Sequence, residues 1–384
     1  MSTTVTTNEW TQSLADGAPG IALLHIERAR AGLAGWEPLH RLAVAMTRDP
    51  IHAHPDVSNL FRGAPAVAYA LHHARQPAYQ KALATLDTAI TTLIGQRLDA
   101  AHQRIDAGRL GQASEYDLIN GLTGLGAYLR HRQQDHPLLQ EILAYLVRLT
   151  RPIRVGVRTL PGWWATGSPD RRQSPRWHGG HAGFGMAHGI TGPLALLSVT
   201  MRRGIIVLGH RDAIHTICAW LDQWRTGPDR NPWWPEVIGR DDLATRTTAH
   251  GAPHRPSWCY GTPGIARAQH LAALATHDWR RAELAEQALI GCLTDERQLA
   301  QLTDPGLCHG WAGLVHTARS AAADTGSREL VNAATTAASR MSDHLRRHGA
   351  PTDDGLLEGL TGVALVNAEG SSAGPRWDTC LLAS

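Results

Sequence analysis

Small and apolar residues recur along the chain in short blocks, and each block follows the same entry: a glycine, two residues and a second glycine. The entries are Gly17-Ala-Pro-Gly20 before IALL, Gly121-Leu-Thr-Gly124 before LGAYL, Gly189-Ile-Thr-Gly192 before PLALL, Gly261-Thr-Pro-Gly264 before IARA, Gly310-Trp-Ala-Gly313 before LVHTA and Gly359-Leu-Thr-Gly362 before VALV. Gly63-Ala-Pro-Ala66, before VAYAL, is a seventh copy with alanine at the second glycine. Glycine permits a sharp entry, Pro, Thr or Ala suits a first helical turn, and the apolar residues continue at helical spacing. Each copy therefore predicts a loop that feeds a helix.

Between the copies lie Ala-, Leu- and Arg-rich stretches such as 281–293 and 329–347, which read as amphipathic helices without strand alternation. Successive first glycines are 46, 58, 68, 72, 49 and 49 residues apart. A helix, a turn, a second helix and a loop need about 45 to 50 residues, so the short repeats are helix pairs. The expected fold is all-α: an α/α toroid of about seven inner and seven outer helices, spanning 1–384 as one domain. All the glycine turns would then lie at one mouth. The residues just before them, Asp16, Arg62, Asn120, His188, Tyr260, His309 and Glu358, would look into a shared cavity.

The three longer repeats imply insertions, placed near 151–180 and 225–258, which are rich in Pro, Gly, Arg and Trp. Loops or short strands are expected there, forming a lid, with Trp163, Trp164, Trp177, Trp233 and Trp234 seeking burial or a partner.

Composition narrows the possibilities. Hydrophobic residues make up 43% and charged residues 18%, which excludes a disordered chain, and a net charge of +3 from 37 basic and 34 acidic residues gives no field for nucleic acid. No apolar run is long enough to span a membrane, and Met1 to Asn8 is polar, so no integral membrane segment and a cytoplasmic location are expected. The five cysteines, Cys218, Cys259, Cys292, Cys308 and Cys380, are odd in number and widely spaced, which argues for thiols or metal ligands over disulfides.

Cys259 and Cys308 each sit two residues before a first glycine, Gly261 and Gly310, so repeat register alone brings them together. His309 adjoins Cys308 where the chain is still entering its helix. Two thiolates and an imidazole form a zinc set with three protein ligands and one open position. None of Cys218, Cys292 and Cys380 lies at a turn to close it. With two thiolates the ion keeps no net charge and polarises a carbonyl poorly, but it can deprotonate an incoming thiol and leave its sulfur electron-rich. The implied chemistry is sulfur attack on an electrophile.

With these motifs, Arg255-Pro-Ser-Trp-Cys-Tyr-Gly261, Leu307-Cys-His-Gly310, Ala187-His188-Gly189 and the seven turns, essentially the whole chain resembles the lanthionine synthetase C-like cyclases of lanthipeptide biosynthesis. The resemblance implies an α/α toroid with one zinc held by Cys259, Cys308 and His309. It implies Michael addition of a precursor-peptide cysteine to dehydroalanine or dehydrobutyrine, forming (methyl)lanthionine rings without a redox cofactor or nucleotide. His188 matches the family's proton-transferring histidine, Asp117 the aspartate that orients it, and Arg255 an arginine expected to stabilise the enolate oxygen. Trp258 and Tyr260 are expected to shape the pocket. The implied partners are a dehydrated precursor of leader plus core, a separate dehydratase and an exporter, in a complex peripheral to the membrane.

Two readings compete. One keeps fold and zinc but joins an external thiol such as glutathione to a dehydrated residue, and the other is a zinc-bearing scaffold that only binds peptide. A toroid glycosidase would need paired carboxylates, for which only Asp117 and Glu358 stand among the mouth residues.

Overall fold

The computed structural model describes residues 11–170, 172, 174–368 and 376–384; the polar start from Met1 to Asn8 lies outside them. Helices alternate between an inner and an outer position: α1 (Ala18–Arg30) and α2 (Glu37–Thr47), α3 (Ala64–Ala74) and α4 (Gln80–Asp106), α5 (Leu122–Arg132) and α6 (Pro137–Leu149). Then follow α7 (Thr191–Met201) and α8 (His210–Gln223), α9 (Thr262–Thr276) and α10 (Trp279–Thr294), α11 (Trp311–Thr325) and α12 (Arg328–His348), and finally α13 (Leu360–Ala368). Each odd-numbered helix packs on the next odd-numbered one, and α13 packs back on α1, which closes the ring. The fold is an α/α toroid with seven inner helices and six long outer ones among the described residues, one outer helix fewer than the repeat count predicts.

The inner helices are buried on nearly all sides. Every residue of α7 is buried, whereas on α12 only Leu330, Ala334, Ala337, Met341 and His344 are, one stripe at helical spacing. This is why the glycine-led blocks line the ring and the Arg-rich helices cover it.

The glycines of the turns answer a steric need. Gly121, Gly261 and Gly310 have negative φ, so left-handed backbone is not the reason for them. A Cβ on the second glycine would instead sit 2.0 Å from the Trp258 carbonyl oxygen at Gly264 and 2.1 Å from the Leu307 carbonyl oxygen at Gly313. The loop before each helix lies directly on the helix's first turn.

A belt of backbone hydrogen bonds links turn to turn at the mouth. Ala187 N–H donates to Cys259 O, Cys259 N–H to Cys308 O, Cys308 N–H to Leu357 O and Leu357 N–H to Ala15 O, at 2.8 to 3.1 Å. Ile119 joins it through Ala187 O, and Leu14 through Phe61 O. Equivalent repeat positions are thus neighbours in space.

At the C-terminal end of the described residues, the 3₁₀ turn Trp377–Leu381 lies inside the ring. The Tyr69 hydroxyl of α3 donates to Trp377 O, and Arg267 of α9 donates to Ala383 O. Buried Asp378 lies 3.0 Å from Nε2 of His316 on α11 and 2.8 Å from Arg376.

The insertions are ordered parts of the wall. Strands β1 (Ile153–Val155) and β2 (Arg158–Leu160) form a hairpin, and β3 (His181–Gly183), just ahead of the His188 turn, pairs antiparallel with β4 (Val237–Gly239) from the second insertion. Trp163, Trp164, Trp233 and Trp234 are buried, and Trp177 is half-buried with the Arg176 guanidinium 4.6 Å from its ring. These segments make a packed shoulder at the mouth, with Trp164 donating to Gly179 O and Trp234 to Leu221 O.

Candidate metal centre and active site

The turns before α9 and α5 each carry a side-chain acceptor four residues ahead of the first glycine. Ser257 Oγ accepts from Gly261 N–H at 3.0 Å and from Tyr260 N–H at 3.3 Å. Asp117 Oδ1 does the same for Asn120 and Gly121 N–H, at 2.6 and 2.9 Å. These bonds hold the turns so that the next residues project into the mouth.

The thiols of Cys259 and Cys308 and one ring nitrogen of His309 lie within 4.8 Å of one another. Cys259 is buried and Cys308 half-buried. The hydrogen bond from Cys308, joined by those from His309 and Ser257, holds the Cys259 thiol well below the ordinary range against the cost of its burial. Cys308 is pushed up by the same contact and keeps its proton longer. The hydrogen bond to Cys259 raises His309. Cys259 is thus the more acidic thiol of the pair, the property a soft metal-ligand set draws on.

A carboxylate supports this group. Glu358 Oε1 lies 3.0 Å from His309 Nδ1, and burial raises the Glu358 carboxyl above its usual range. Asp304 joins His309 and Glu358 in a second cluster within 4.8 Å, and its Oδ2 lies 3.6 Å from Arg255 Nη1.

Beside this centre, one position along from Ala187 in the belt, His188 Nδ1 lies 2.7 Å from Asp117 Oδ2. Asp117 is 1% exposed at its side chain and His188 35%, so Nδ1 is tied down while the ring's other edge is free to meet solvent or a ligand. The two Asp117 oxygens divide the work, one capping its own turn and the other fixing the histidine. The Tyr260 ring centre is 6.0 Å from that of His188, and burial pushes the Tyr260 hydroxyl up, so it stays a neutral donor.

Asn120, His188 and Tyr260 line a cavity of about 830 Å³ whose far wall is the first insertion, with Asp170, Trp177 and His181. The structure brings together Cys259, Cys308 and His309, pairs His188 with Asp117, and sets Tyr260 between them. Trp258 is a correction to the sequence expectation. It is 1% exposed and turned into the ring, where its indole donates to Leu381 O at 3.1 Å, because the last described residues fill the space beneath it. It anchors the turn and does not line the cavity. Asp16, Arg62, His309 and Glu358, expected at the shared cavity, do not line it: Asp16 and Arg62 are exposed, and His309 and Glu358 face each other at the metal centre. Asp304 and Ser257 escaped sequence reasoning; Ser257 shares the repeat position of Asp117, which was the available signal.

Among the described residues no helix is long and apolar enough to cross a membrane. The family of lanthionine synthetase C-like proteins matches residues 8–382 of the chain. A curated relative, the nisin biosynthesis protein NisC of Lactococcus lactis subsp. lactis, is 22% identical over 318 residues, which are 80% of this chain and 72% of that protein. A solved structure of a nisin cyclase superposes with a TM-score of 0.80 at 21% identity, covering 97% of this chain and 92% of that one.

Proposed function

From the chain's membership of the lanthionine synthetase C-like family and the geometry of its mouth, we propose that it is a lanthipeptide cyclase that forms thioether rings by intramolecular Michael addition. The observation that carries this reading is the approach of two thiols and an imidazole within 4.8 Å, beside a histidine fixed by a buried aspartate. The donor set fits zinc: two sulfurs and one nitrogen, one thiol made more acidic by its neighbours, with a position left over for another ligand. Bound there, zinc would supply acidity to a peptide cysteine thiol and leave its sulfur nucleophilic.

The chain's own residues do the rest. Cys259, Cys308 and His309 would hold the ion. Asp117 accepts from Nδ1 of His188, which leaves Nε2 as the nitrogen that takes or gives a proton. The peptide sulfur bonds to the β-carbon of a dehydroamino acid, the double-bond electrons move toward the carbonyl oxygen, and one proton returns to the α-carbon. Nothing is oxidised and no atom is lost. Arg255, held by Asp304, is the charge assigned to the developing enolate oxygen. Tyr260 and the first insertion wall the space in which the peptide folds back on itself. The dehydroamino acids must come from a separate dehydratase acting on the same precursor.

Incubation of a dehydrated precursor peptide with the purified protein tests the proposal. Free cysteine thiols, counted by alkylation and mass spectrometry, should disappear without a change in peptide mass. Persistence of every thiol after removal of none of the zinc would overturn it, and glutathione adducts in a parallel incubation would favour the external-thiol reading.

A further inference from the structure

Outside the ring of turns, a second cavity of about 590 Å³ opens between the C-terminal half of α12 and residues 296–303. Trp311 lies on its wall, one residue beyond Gly310 and three beyond Cys308, so the cavity backs directly onto the metal turn. Trp311 is 7% exposed, yet its indole N–H finds no acceptor among the described residues. A buried donor left without a partner is costly, and an acceptor entering the cavity would remove that cost.

The charges around it are unevenly satisfied. Glu296 is engaged by Arg340 at 2.5 and 2.9 Å, and Asp343 by Arg346 outside the cavity. Among the described residues Arg347 donates only through Nε, to the backbone carbonyl of Asp343 at 3.2 Å. His344 and His348 stand with ring centres 4.5 Å apart, and His344 faces Trp311 at 6.3 Å. Basic residues in the last turn of α12 suit the helix dipole, but that does not account for the cavity or for the unanswered indole.

We propose that this cavity docks an acidic segment of the substrate peptide, with an Asp or Glu carboxylate facing Arg347 and the His344–His348 pair and a peptide carbonyl accepting from the Trp311 indole. The inference rests on the reading that the substrate is a peptide. It gives the chain a second grip on that peptide, separate from the cavity that His188 and Tyr260 line. Arg347 is the specificity-determining charge, because the neighbouring carboxylates already have their partners.

The test is fluorescence anisotropy with two labelled octapeptides, one of alternating Leu and Asp and the other with Asn at every Asp position. The wild type should bind the Asp peptide at least about tenfold more tightly than its twin, as a charge-assisted hydrogen bond predicts. Arg347→Glu, at an exposed position, should erase the preference, and Trp311→Phe should weaken the Asp peptide about fivefold by removing one donor. Cys308→Ala should keep the binding, so a failed cyclase reading and a failed docking reading give different results. Equal affinity for the two peptides, an intact preference in Arg347→Glu, or binding that vanishes with Cys308→Ala would each overturn the proposal.

Discussion

The backbone N–H of Cys259 donates to the carbonyl oxygen of Cys308 at 3.1 Å. The two cysteines therefore face each other through a bond that belongs to the mouth belt and does not depend on any ion. Cys308→Ala should leave the belt and the fold intact, remove zinc and abolish cyclisation. His188→Ala should retain zinc and lose about 10²- to 10⁴-fold in rate. Elemental analysis and single-turnover kinetics on both proteins check this, and equal zinc loss from the two would contradict the division of roles.

Asp117 accepts from His188 and from two turn amides. Asp117→Asn keeps an oxygen for the turn but removes the charge that orients the ring, so zinc content and melting temperature should change little while kcat falls at least about a hundredfold. A pH–rate profile identical to that of the wild type would show that the pair does not act together.

Glu358 touches His309 Nδ1 across the join between the sixth and seventh turns. Carboxylates behind a metal-bound histidine commonly strengthen metal binding, and their loss costs about 10- to 100-fold in affinity. Glu358→Gln is expected to release zinc to a competing chelator more readily by that factor, with the uncharged amide still filling the space. Unchanged chelator competition would reduce Glu358 to a surface contact.

A Cβ at Gly264 would meet Trp258 O at 2.0 Å and Met186 Cβ at 3.1 Å. The obstacle at the closer contact is backbone, so Gly264→Ala must displace the loop that carries Cys259. A loss of about 3 kcal/mol in stability is expected, together with weaker zinc binding although no ligand is altered. Calorimetry and chelator titration of the same sample would reveal whether the two effects travel together.

Acid should destabilise the ring through its buried imidazoles. Burial, reinforced by the Arg267 charge, pushes His270 down to about 4, and burial with Arg132 does the same to His72. In the unfolded chain these rings take up protons near pH 6.5, while in the folded protein they stay neutral until about pH 4. Their contribution is thus fully present above pH 6.5 and is lost as pH falls toward 4, on the order of 3 kcal/mol for His270. Melting temperatures across that window should fall steeply, and less steeply for His270→Gln.

Repeat spacing made the ring legible, because seven glycine-led apolar blocks have only one economical way to bury their inner faces together. It also made Cys259 and Cys308 neighbours, since equivalent positions of adjacent repeats are joined by the belt. The count of outer helices and the structure of the long insertions were less legible, because short strands such as β3 and β4 pair across 56 residues of chain and carry too few positions for a periodic signal.

Local pattern alone determined the inner helices, the glycine turns and the nearness of Cys259, Cys308 and His309, for these depend on spacing within one repeat and its neighbour. Which way each side chain turns was decided by contacts from distant segments: Leu381 draws the Trp258 indole inward, Asp117 takes His188, Glu358 reaches His309 and Asp304 meets Arg255. Those choices depend on atoms brought close only when the ring closes, and no reading along the chain contains that distance.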